Sequence, residues 1–169
     1  LAAPQGIEVV TVPGVEDGGE LISSTRVRNC LQNGQPEDAA RMLGRPYSLS
    51  ARVVRGDQRG RTIGFATANL QLPAGKLVPC YGVYSCWVQR KGERLAAVAN
   101  LGVRPTVAAN QLEPLLEAHL LDFEGDLYGE PLQVELCHFL RAEQRFSGLD
   151  ALKAQLQQDL ARARELLLR

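Results

Sequence analysis

Residues 82–100 read GVYSCWVQRKGERLAAVAN, two apolar stretches separated by a short polar segment that contains a glycine. Such short runs are typical of β-strands, and we predict strands at 82–89 and 94–100. The flanking sequence predicts further strands at 48–55, 115–123 and 132–140, with a short extended piece at 69–72. No long helix is predicted between them, which disfavours a parallel sheet. Five or six such strands predict a closed or nearly closed antiparallel barrel.

Two short helices are predicted before the barrel. The first opens at the N-cap residues 23–25 and ends at Gly34. The second has Pro36 in its first turn and Gly44 as its stop, so the pair should form a compact hairpin.

One amphipathic helix is predicted after the barrel. Ser147 and Asp150 form a candidate capping box at its start. Apolar residues then recur at spacings of three and four, and this stripe is expected to pack on the barrel rather than on a partner helix. The stripe consists of Leu149, Leu152, Leu156, Leu160, Ala163 and Leu167.

The composition excludes several classes of protein. Nineteen basic residues balance nineteen acidic ones in 169 residues, which argues against nucleic acid or an anionic membrane as a partner. No apolar run approaches the roughly 20 residues of a membrane helix, and the first residues lack the order of a signal peptide. The four cysteines lack the paired spacing of a zinc site. We therefore expect a globular cytoplasmic protein.

A glycine-rich segment, RGDQRGRTIGFATAN at 55–69, carries the first candidate site. Glycines let a backbone approach a ligand closely, and arginines with exposed N–H groups suit phosphate oxygens. Thr67 and Asn69, two apart on an extended backbone, should point to one side and can complete the oxygen shell of a phosphate-bound Mg²⁺. The alternative is an ordinary glycine-rich turn with solvated charges. The Walker phosphate-binding pattern is absent from the sequence.

Two more stretches carry candidate groups. On a strand through LLEAHLLDF (115–123), Glu117 and His119 share one face, where Glu117 is either a solvated edge carboxylate or a base for a substrate hydroxyl. His119 by itself is typical of a structural histidine. The connector LRAEQRF (140–146) either clamps a planar ring with Phe146 and arginine or is a salt-bridged link that plugs the final helix onto the barrel.

Together these stretches resemble the riboflavin kinase family. Four motifs occur in the family's order, namely GDQRGRTIGFATANL, NLGVRPTV, EAHLLDFEGDLYG and FLRAEQRF. The resemblance implies a six-stranded antiparallel Greek-key barrel with a C-terminal helix, which agrees with the predicted strands. The earlier ISSTRVRNCLQNGQPEDAARMLGRPY resembles the closing segment of the adenylyltransferase module in bacterial bifunctional riboflavin kinase/FAD synthetases. We therefore expect a kinase domain at 44–169 and a residual end of that module at 1–43.

The resemblance also implies roles for individual residues, with ATP as the phosphoryl donor and Mg²⁺ as the cofactor. Glu117 corresponds to the catalytic base, and Thr67 and Asn69 to the residues that bind magnesium and phosphate. The residues that correspond to ATP contacts are Gly56, Arg59, Gly60, Arg61, Gly64, Leu120, Asp122 and Tyr128. Those that correspond to flavin contacts are Arg141, Gln144 and Phe146. The residual adenylyltransferase motif comprises Ser23, Ser24, Thr25 and Arg28, with Arg26 between them, and it should be idle without the rest of its domain in cis.

Two positions depart from the family pattern. Ala66 replaces a proline, so the loop loses a fixed φ angle, and Val107 replaces an aromatic residue. Neither change removes a reacting group, so the implied activity is phosphorylation of riboflavin to FMN, with adenylylation of FMN to FAD by the full-length protein. A non-catalytic regulatory module that binds flavin or nucleotide is the alternative. An oligonucleotide-binding barrel fits the fold class, but not the zero net charge or the 5% aromatic content.

Overall fold

The computed structural model of the chain describes residues 10–56, 65, 67–105 and 112–168. The strands are β1 (Glu16–Asp17), β2 (Glu20–Leu21), β3 (Tyr47–Val54), β4 (Ala68–Gln71), β5 (Gly82–Arg90), β6 (Glu93–Pro105), β7 (Leu112–Leu120) and β8 (Pro131–Arg141). The helices of the described residues are α1 (Ser24–Gln32), α2 (Pro36–Leu43) and α3 (Leu149–Leu167).

Strands β3 to β8 form a closed barrel in the order β3-β4-β7-β6-β5-β8. Every neighbouring pair is antiparallel. Strands β5, β6 and β7 follow one another as hairpins, and β8 returns by a longer connection to lie beside β5, which is Greek-key connectivity. The predicted barrel and all six of its strands are confirmed.

The barrel interior is filled by alternate residues of each strand. On β7, Leu116, Ala118 and Leu120 belong to the main core, whereas the residues between them face outward. The other strands contribute in the same way, with Leu49, Leu70, Tyr84, Cys86, Val88, Ala99, Leu101, Val134 and Leu136 among the fully buried side chains. Because the interior is packed, a ligand site has to lie on the outer face or at a rim.

The predicted helical hairpin is also confirmed. The side chain of Ser23 caps α1 by accepting a hydrogen bond from the Arg26 backbone N–H at 3.2 Å. Helix α2 begins at Pro36 and ends at Leu43, and its C-cap Gly44 has a φ of 69°, in the left-handed region that glycine adopts without strain. The hairpin forms a second small core and contacts the barrel, where His138 Nδ1 lies 2.7 Å from Glu37 Oε1.

The start of α3 differs from the prediction. The carbonyl of Gly148 accepts the first helical bond from Leu152 N–H at 3.2 Å, so Gly148 is the N-cap. Glycine has no side chain to cap the helix, and the predicted capping box of Ser147 and Asp150 is therefore wrong. In the part of the chain that the structure describes, no helix has both the length and the hydrophobicity needed to span a bilayer.

The predicted packing of α3 on the barrel holds for the C-terminal part of its apolar stripe. There Ala163 is fully buried, and Leu160 and Leu167 pack on outward-facing residues of β5 and β6. Near the start of the helix Leu149 is 67% exposed, and the stripe from Leu149 to Leu160 borders a cavity instead. Helix α3 therefore stands off the barrel at its N-terminal end.

A short hairpin of β1 and β2 precedes α1 and was not among the predicted elements. Its turn residues Gly18 and Gly19 both have positive φ, 64° and 81°. A Gly-Gly pair between two short strands is a signal for this type of turn, but two-residue strands show no periodicity to accompany it. The hairpin is tied to the helices because Asp17 accepts from Arg41 at 2.9 Å, and this hydrogen bond lowers the pKa of the Asp17 carboxyl.

Candidate functional site

The polar residues of the site lie on the outer face of the barrel, where the strands pass beneath α3. Glu117 and His119 project outward from β7 because their neighbours Leu116, Ala118 and Leu120 point inward. Asn69 projects outward from β4 by the same alternation, between Ala68 and Leu70 of the core. The period of two that fills the core therefore also brings these side chains to one surface.

Strand register places Glu117 between two amides. Asn69 on β4 is its direct partner on one side, and Asn100 on β6 is its direct partner on the other. Residues directly opposite in an antiparallel pair have Cβ atoms about 5 Å apart. Asn69 is only 6% exposed, and Glu117 and Asn100 are half-buried. The carboxylate is thus set in a polar row on the barrel wall.

A first cavity of about 540 Å³ covers this polar row. Its apolar walls come from the barrel face and from the α3 stripe. Its polar groups come from β4 and the residue before it, from β6 and β7, and from the end of β8 with the segment that follows. The lining residues are Phe65, Thr67, Asn69, Val83, Val98, Asn100, Glu117, His119, Arg141, Glu143, Gln144, Phe146, Leu149, Leu152, Leu156 and Leu160. An apolar cleft with a few convergent polar groups is typical of a small-molecule site.

A second cavity of about 1010 Å³ lies between the end of β3, β4 and the segment that joins β7 to β8. Within that segment Asp122 has a φ of 55° and its carboxylate lies 2.6 Å from Arg164 of α3. The guanidinium of Arg55 stands 5.0 Å from the centre of the Tyr128 ring, a cation–π contact. This cavity is lined by Val53, Val54, Arg55, Gly56, Thr67, Ala68, Asn69, His119, Leu120 and the residues 122–128.

The two cavities share Thr67, Asn69 and His119. At this junction Gly56 lies so close to Asn69 that a Cβ at position 56 would overlap the Asn69 side chain. The absence of a side chain at Gly56 therefore leaves the amide its room. Glu117 lines only the first cavity, beside the junction.

The junction can hold a metal ion only if a bound substrate supplies most of the metal's ligands. Among the described residues, no three His, Cys, Asp or Glu side chains come together as a metal site. Thr67 and Asn69 offer a hydroxyl and an amide oxygen at the junction, ligands that suit Mg²⁺ when substrate phosphates supply most of its shell. The residues present fit such a phosphate-bound ion.

Seven of the predicted ATP and flavin contacts line one cavity and not the other. Arg141, Gln144 and Phe146 line the first cavity, and Gly56, Leu120, Asp122 and Tyr128 line the second. Arg59, Gly60, Arg61 and Gly64 lie outside the described residues, as do Ala66 and Val107. Ser23, Ser24, Thr25 and Arg28 belong to the start of α1 and line neither cavity, and Arg28 donates to Ser24 Oγ at 3.2 Å.

Sequence reasoning missed three polar groups beside these cavities. The Asn100 side-chain amide donates to Glu143 Oε1 at 3.4 Å at the wall of the first cavity, and neither residue was predicted as a site residue, although both lie in the motifs NLGVRPTV and LRAEQRF. Asp159 is 4% exposed and pairs with Arg141. The sequence does carry a signal for Asp159. It is a charged residue at a helical spacing otherwise occupied by the apolar residues Leu152, Leu156 and Ala163.

A comparison with protein families matches residues 43–167 to the Flavokinase family, described as riboflavin kinase. The curated relatives include the bifunctional riboflavin kinase/FMN adenylyltransferases of Escherichia coli K12, 47% identical over 161 residues, and of Pseudomonas fluorescens, 46% identical over 162 residues. These alignments cover 95% and 96% of the chain. The chain spans about half the length of these relatives, 50% and 51%.

Solved structures share the fold. The riboflavin kinase of Trypanosoma brucei superposes with a TM-score of 0.54 at 25% identity, covering 73% of this chain and 81% of its own. A Streptococcus pneumoniae structure described as a macrolide-efflux protein superposes with a TM-score of 0.84 at 37% identity, covering 90% of this chain and 50% of its own.

Proposed function

The chain belongs to the riboflavin kinase family, and on that premise we propose that it transfers the γ-phosphoryl group of ATP to the terminal ribityl hydroxyl of riboflavin, giving FMN and ADP. The observation that carries this proposal is the meeting of two cavities at Thr67 and Asn69, with Glu117 beside the junction. A two-substrate transfer needs two adjoining sites whose reactive ends meet, because positioning supplies much of the rate.

The first cavity is proposed to hold riboflavin. Leucines of α3 and Phe146 offer an apolar wall for the isoalloxazine ring, while Asn69, Asn100 and Glu117 offer a polar row for the ribityl hydroxyls. A volume of about 540 Å³ is within the usual range for a small-molecule site. The ring would lie towards α3 and the hydroxyl chain towards the junction.

Glu117 is proposed as the general base. The terminal hydroxyl oxygen attacks the γ-phosphorus, the bond from that phosphorus to the β–γ bridging oxygen breaks, and ADP leaves with the bond's electrons. The hydroxyl proton passes to the Glu117 carboxylate, which Asn69 and Asn100 flank in the strand ladder. General-base catalysis of this kind contributes typically about 10²- to 10⁴-fold in rate.

The second cavity is proposed to hold ATP. Gly56, Leu120, Asp122 and Tyr128 line it, and Arg55 brings a positive charge to the same wall. Arg59 and Arg61, with Gly60 and Gly64, belong to the glycine-rich segment whose composition suits phosphate oxygens. We propose that this segment contacts the phosphates of ATP.

Thr67 and Asn69 are proposed to hold Mg²⁺ together with the ATP phosphates. The ion, when bound, offsets the negative charge of the phosphates during transfer. The chain's own contribution is to orient the two oxygen donors at the junction, where Gly56 leaves room for the Asn69 amide.

Residues 1–43 are proposed to be the end of an adenylyltransferase module, followed by the kinase domain at 44–169. Two observations support this division: the family match begins at residue 43, and the alignment to bifunctional relatives covers 95% of the chain. The full-length protein would then also adenylylate FMN to FAD, and Ser23, Ser24, Thr25 and Arg28 would act only within that larger module.

The proposed reaction is tested by incubating the purified chain with ATP, a magnesium salt and riboflavin and separating the flavins by chromatography. We expect FMN and ADP to form in equal amounts, and no FMN when ATP or magnesium is left out. Tight binding of riboflavin or ATP without any FMN would favour the non-catalytic regulatory module and reject the kinase proposal.

A further inference from the structure

Asp159 is a charged side chain of α3 that the barrel covers almost completely, with 4% of its surface exposed. Its carboxylate accepts from Arg141 Nε at 3.0 and 3.1 Å and from Arg141 Nη2 at 2.8 Å. It also accepts from Gln155 Nε2 at 2.9 Å, one helical turn earlier. Both carboxylate oxygens are therefore engaged, in the two-pronged geometry that Arg and a carboxylate favour.

Stability alone does not account for this pair. Removing two charges from water is costly, and well-packed apolar residues of similar volume often stabilise a protein as well as a buried ion pair does. Asp159 falls at the spacing of the apolar residues Leu152, Leu156 and Ala163, where a leucine would continue the packing. We therefore look for a role of the pair in holding the guanidinium of Arg141 at a fixed position.

The guanidinium of Arg141 is held at the wall of the first cavity. Besides its bonds to Asp159, Nη1 donates to the carbonyl of Ala142 at 3.1 Å. The same group stands 5.7 Å from the centre of the Phe146 ring, which also lines the cavity. Of the five N–H donors of Arg141, two have no partner among the described residues, and these can meet carbonyl oxygens of a bound ring.

We infer that Asp159 is a positioning residue for the acceptor: through Arg141 it fixes the donors and the Phe146 face that recognise a planar heteroaromatic ring bearing carbonyl groups. The inference rests on the proposed function, in which the first cavity holds riboflavin. Asp159 itself does not line the cavity and acts only through Arg141. It should therefore affect the binding of the ring and not the transfer of the phosphoryl group.

The test compares Asp159→Asn with Glu165→Gln, which removes a carboxylate from the exposed pair with Arg162 on the same helix. The asparagine keeps the size of the side chain but turns an NH₂ group towards the arginine donors. We expect the Kd for riboflavin, measured by quenching of flavin fluorescence, to rise about tenfold in Asp159→Asn. The kcat at saturating riboflavin and the KM for ATP should stay within about twofold of the wild type. Glu165→Gln should leave all three quantities unchanged.

A second variant covers the case in which Asp159→Asn does not fold. Arg141→Met/Asp159→Leu replaces the pair by apolar side chains, and we expect it to fold with a melting temperature at or above that of the wild type. Its riboflavin affinity should still be lowered at least as much as that of Asp159→Asn. Wild-type riboflavin affinity in either folded variant, or a parallel loss of riboflavin and ATP affinity, would overturn the inference.

The two proposals fail in different ways. A wild-type chain that binds riboflavin but forms no FMN would reject the proposed reaction, while the comparison of Kd values would still decide the role of Asp159. A wild-type chain that binds no riboflavin would overturn both.

Discussion

Asn69 on β4 and Glu117 on β7 are direct cross-strand partners on the outer face of the barrel. Their side chains share one surface because both strands turn the residues on either side of them into the core. Asn69 lines both cavities and Glu117 lines only the first. This pairing sets the proposed base next to the proposed metal ligand.

Asn69→Ala should lower turnover much more than it lowers riboflavin affinity. The amide is proposed to act on magnesium and phosphate, where charge redistributes during transfer, and the loss of such a contact costs about 10²-fold in kcat. Thr67→Ala should likewise lower turnover more than riboflavin affinity. Steady-state kinetics at limiting magnesium measures the effect, with Gln71→Ala as the control, since Gln71 is on the same strand but lines neither cavity. Wild-type turnover in Asn69→Ala would remove this residue from the site.

Gly56→Ala should reproduce the loss of turnover seen in Asn69→Ala. The new Cβ would overlap the Asn69 side chain and force the amide away from the junction. The double variant Gly56→Ala/Asn69→Ala isolates the cause, because it should be no slower than Asn69→Ala alone. A double variant with additive losses would mean that position 56 acts on the nucleotide independently of Asn69.

The 169-residue chain should make FMN but no FAD. Adenylyl transfer is proposed to need the other half of a bifunctional protein, and the chain spans only about half the length of its curated bifunctional relatives. Incubation with FMN, ATP and magnesium, followed by chromatography, measures this directly. ATP-dependent formation of FAD by the purified chain would contradict the proposed division at residue 43.

The chain should lose stability in acid as the Glu130 carboxylate becomes protonated and its ion pairs with Arg90 and Lys91 are lost. Hydrogen bonds from Arg90 at 2.7 Å and from Lys91 at 2.8 Å lower the pKa of the Glu130 carboxyl from 4.5 to about 2 in the folded state. A lowered pKa in the folded state adds stability that is present above the unfolded pKa of about 4.5 and is lost as the pH falls towards about 2. Thermal unfolding across this range should therefore show a smaller decrease for Glu130→Gln than for the wild type. Equal slopes for the two proteins would show that the pair does not contribute.

The barrel could be predicted from sequence because its signals are local. The apolar stretches of 82–100 are bounded by glycine and charged residues, so β5 is predicted within one residue of both its ends and β6 within one residue of its start, although β6 continues five residues beyond its predicted end. The capping box was wrong because Ser147 and Gly148 both offer a plausible helix start, and the backbone at Gly148 decides between them. Two-residue strands such as β1 are too short to carry any period.

The sequence motifs named several residues that line the two cavities, but they did not predict how those residues are arranged. Motifs singled out Asn69 and Glu117, whereas the partnership of Glu117 with Asn100 depends on the register between β6 and β7, which no local pattern specifies. The pairing of Arg141 with Asp159 depends in the same way on where α3 crosses β8. Contacts between residues far apart in sequence therefore required the three-dimensional structure.

The role of Glu117 is the central claim, and single-turnover formation of FMN by Glu117→Gln tests it most directly. The substitution keeps the shape and one acceptor oxygen but removes the charge that takes the proton. Glu113→Gln is the matched control, since Glu113 is on the same strand but lines neither cavity. We predict that Glu117→Gln slows FMN formation by about 10²- to 10⁴-fold with an unchanged melting temperature, while Glu113→Gln retains wild-type rates. An unchanged single-turnover rate in a normally folded Glu117→Gln protein would contradict the account.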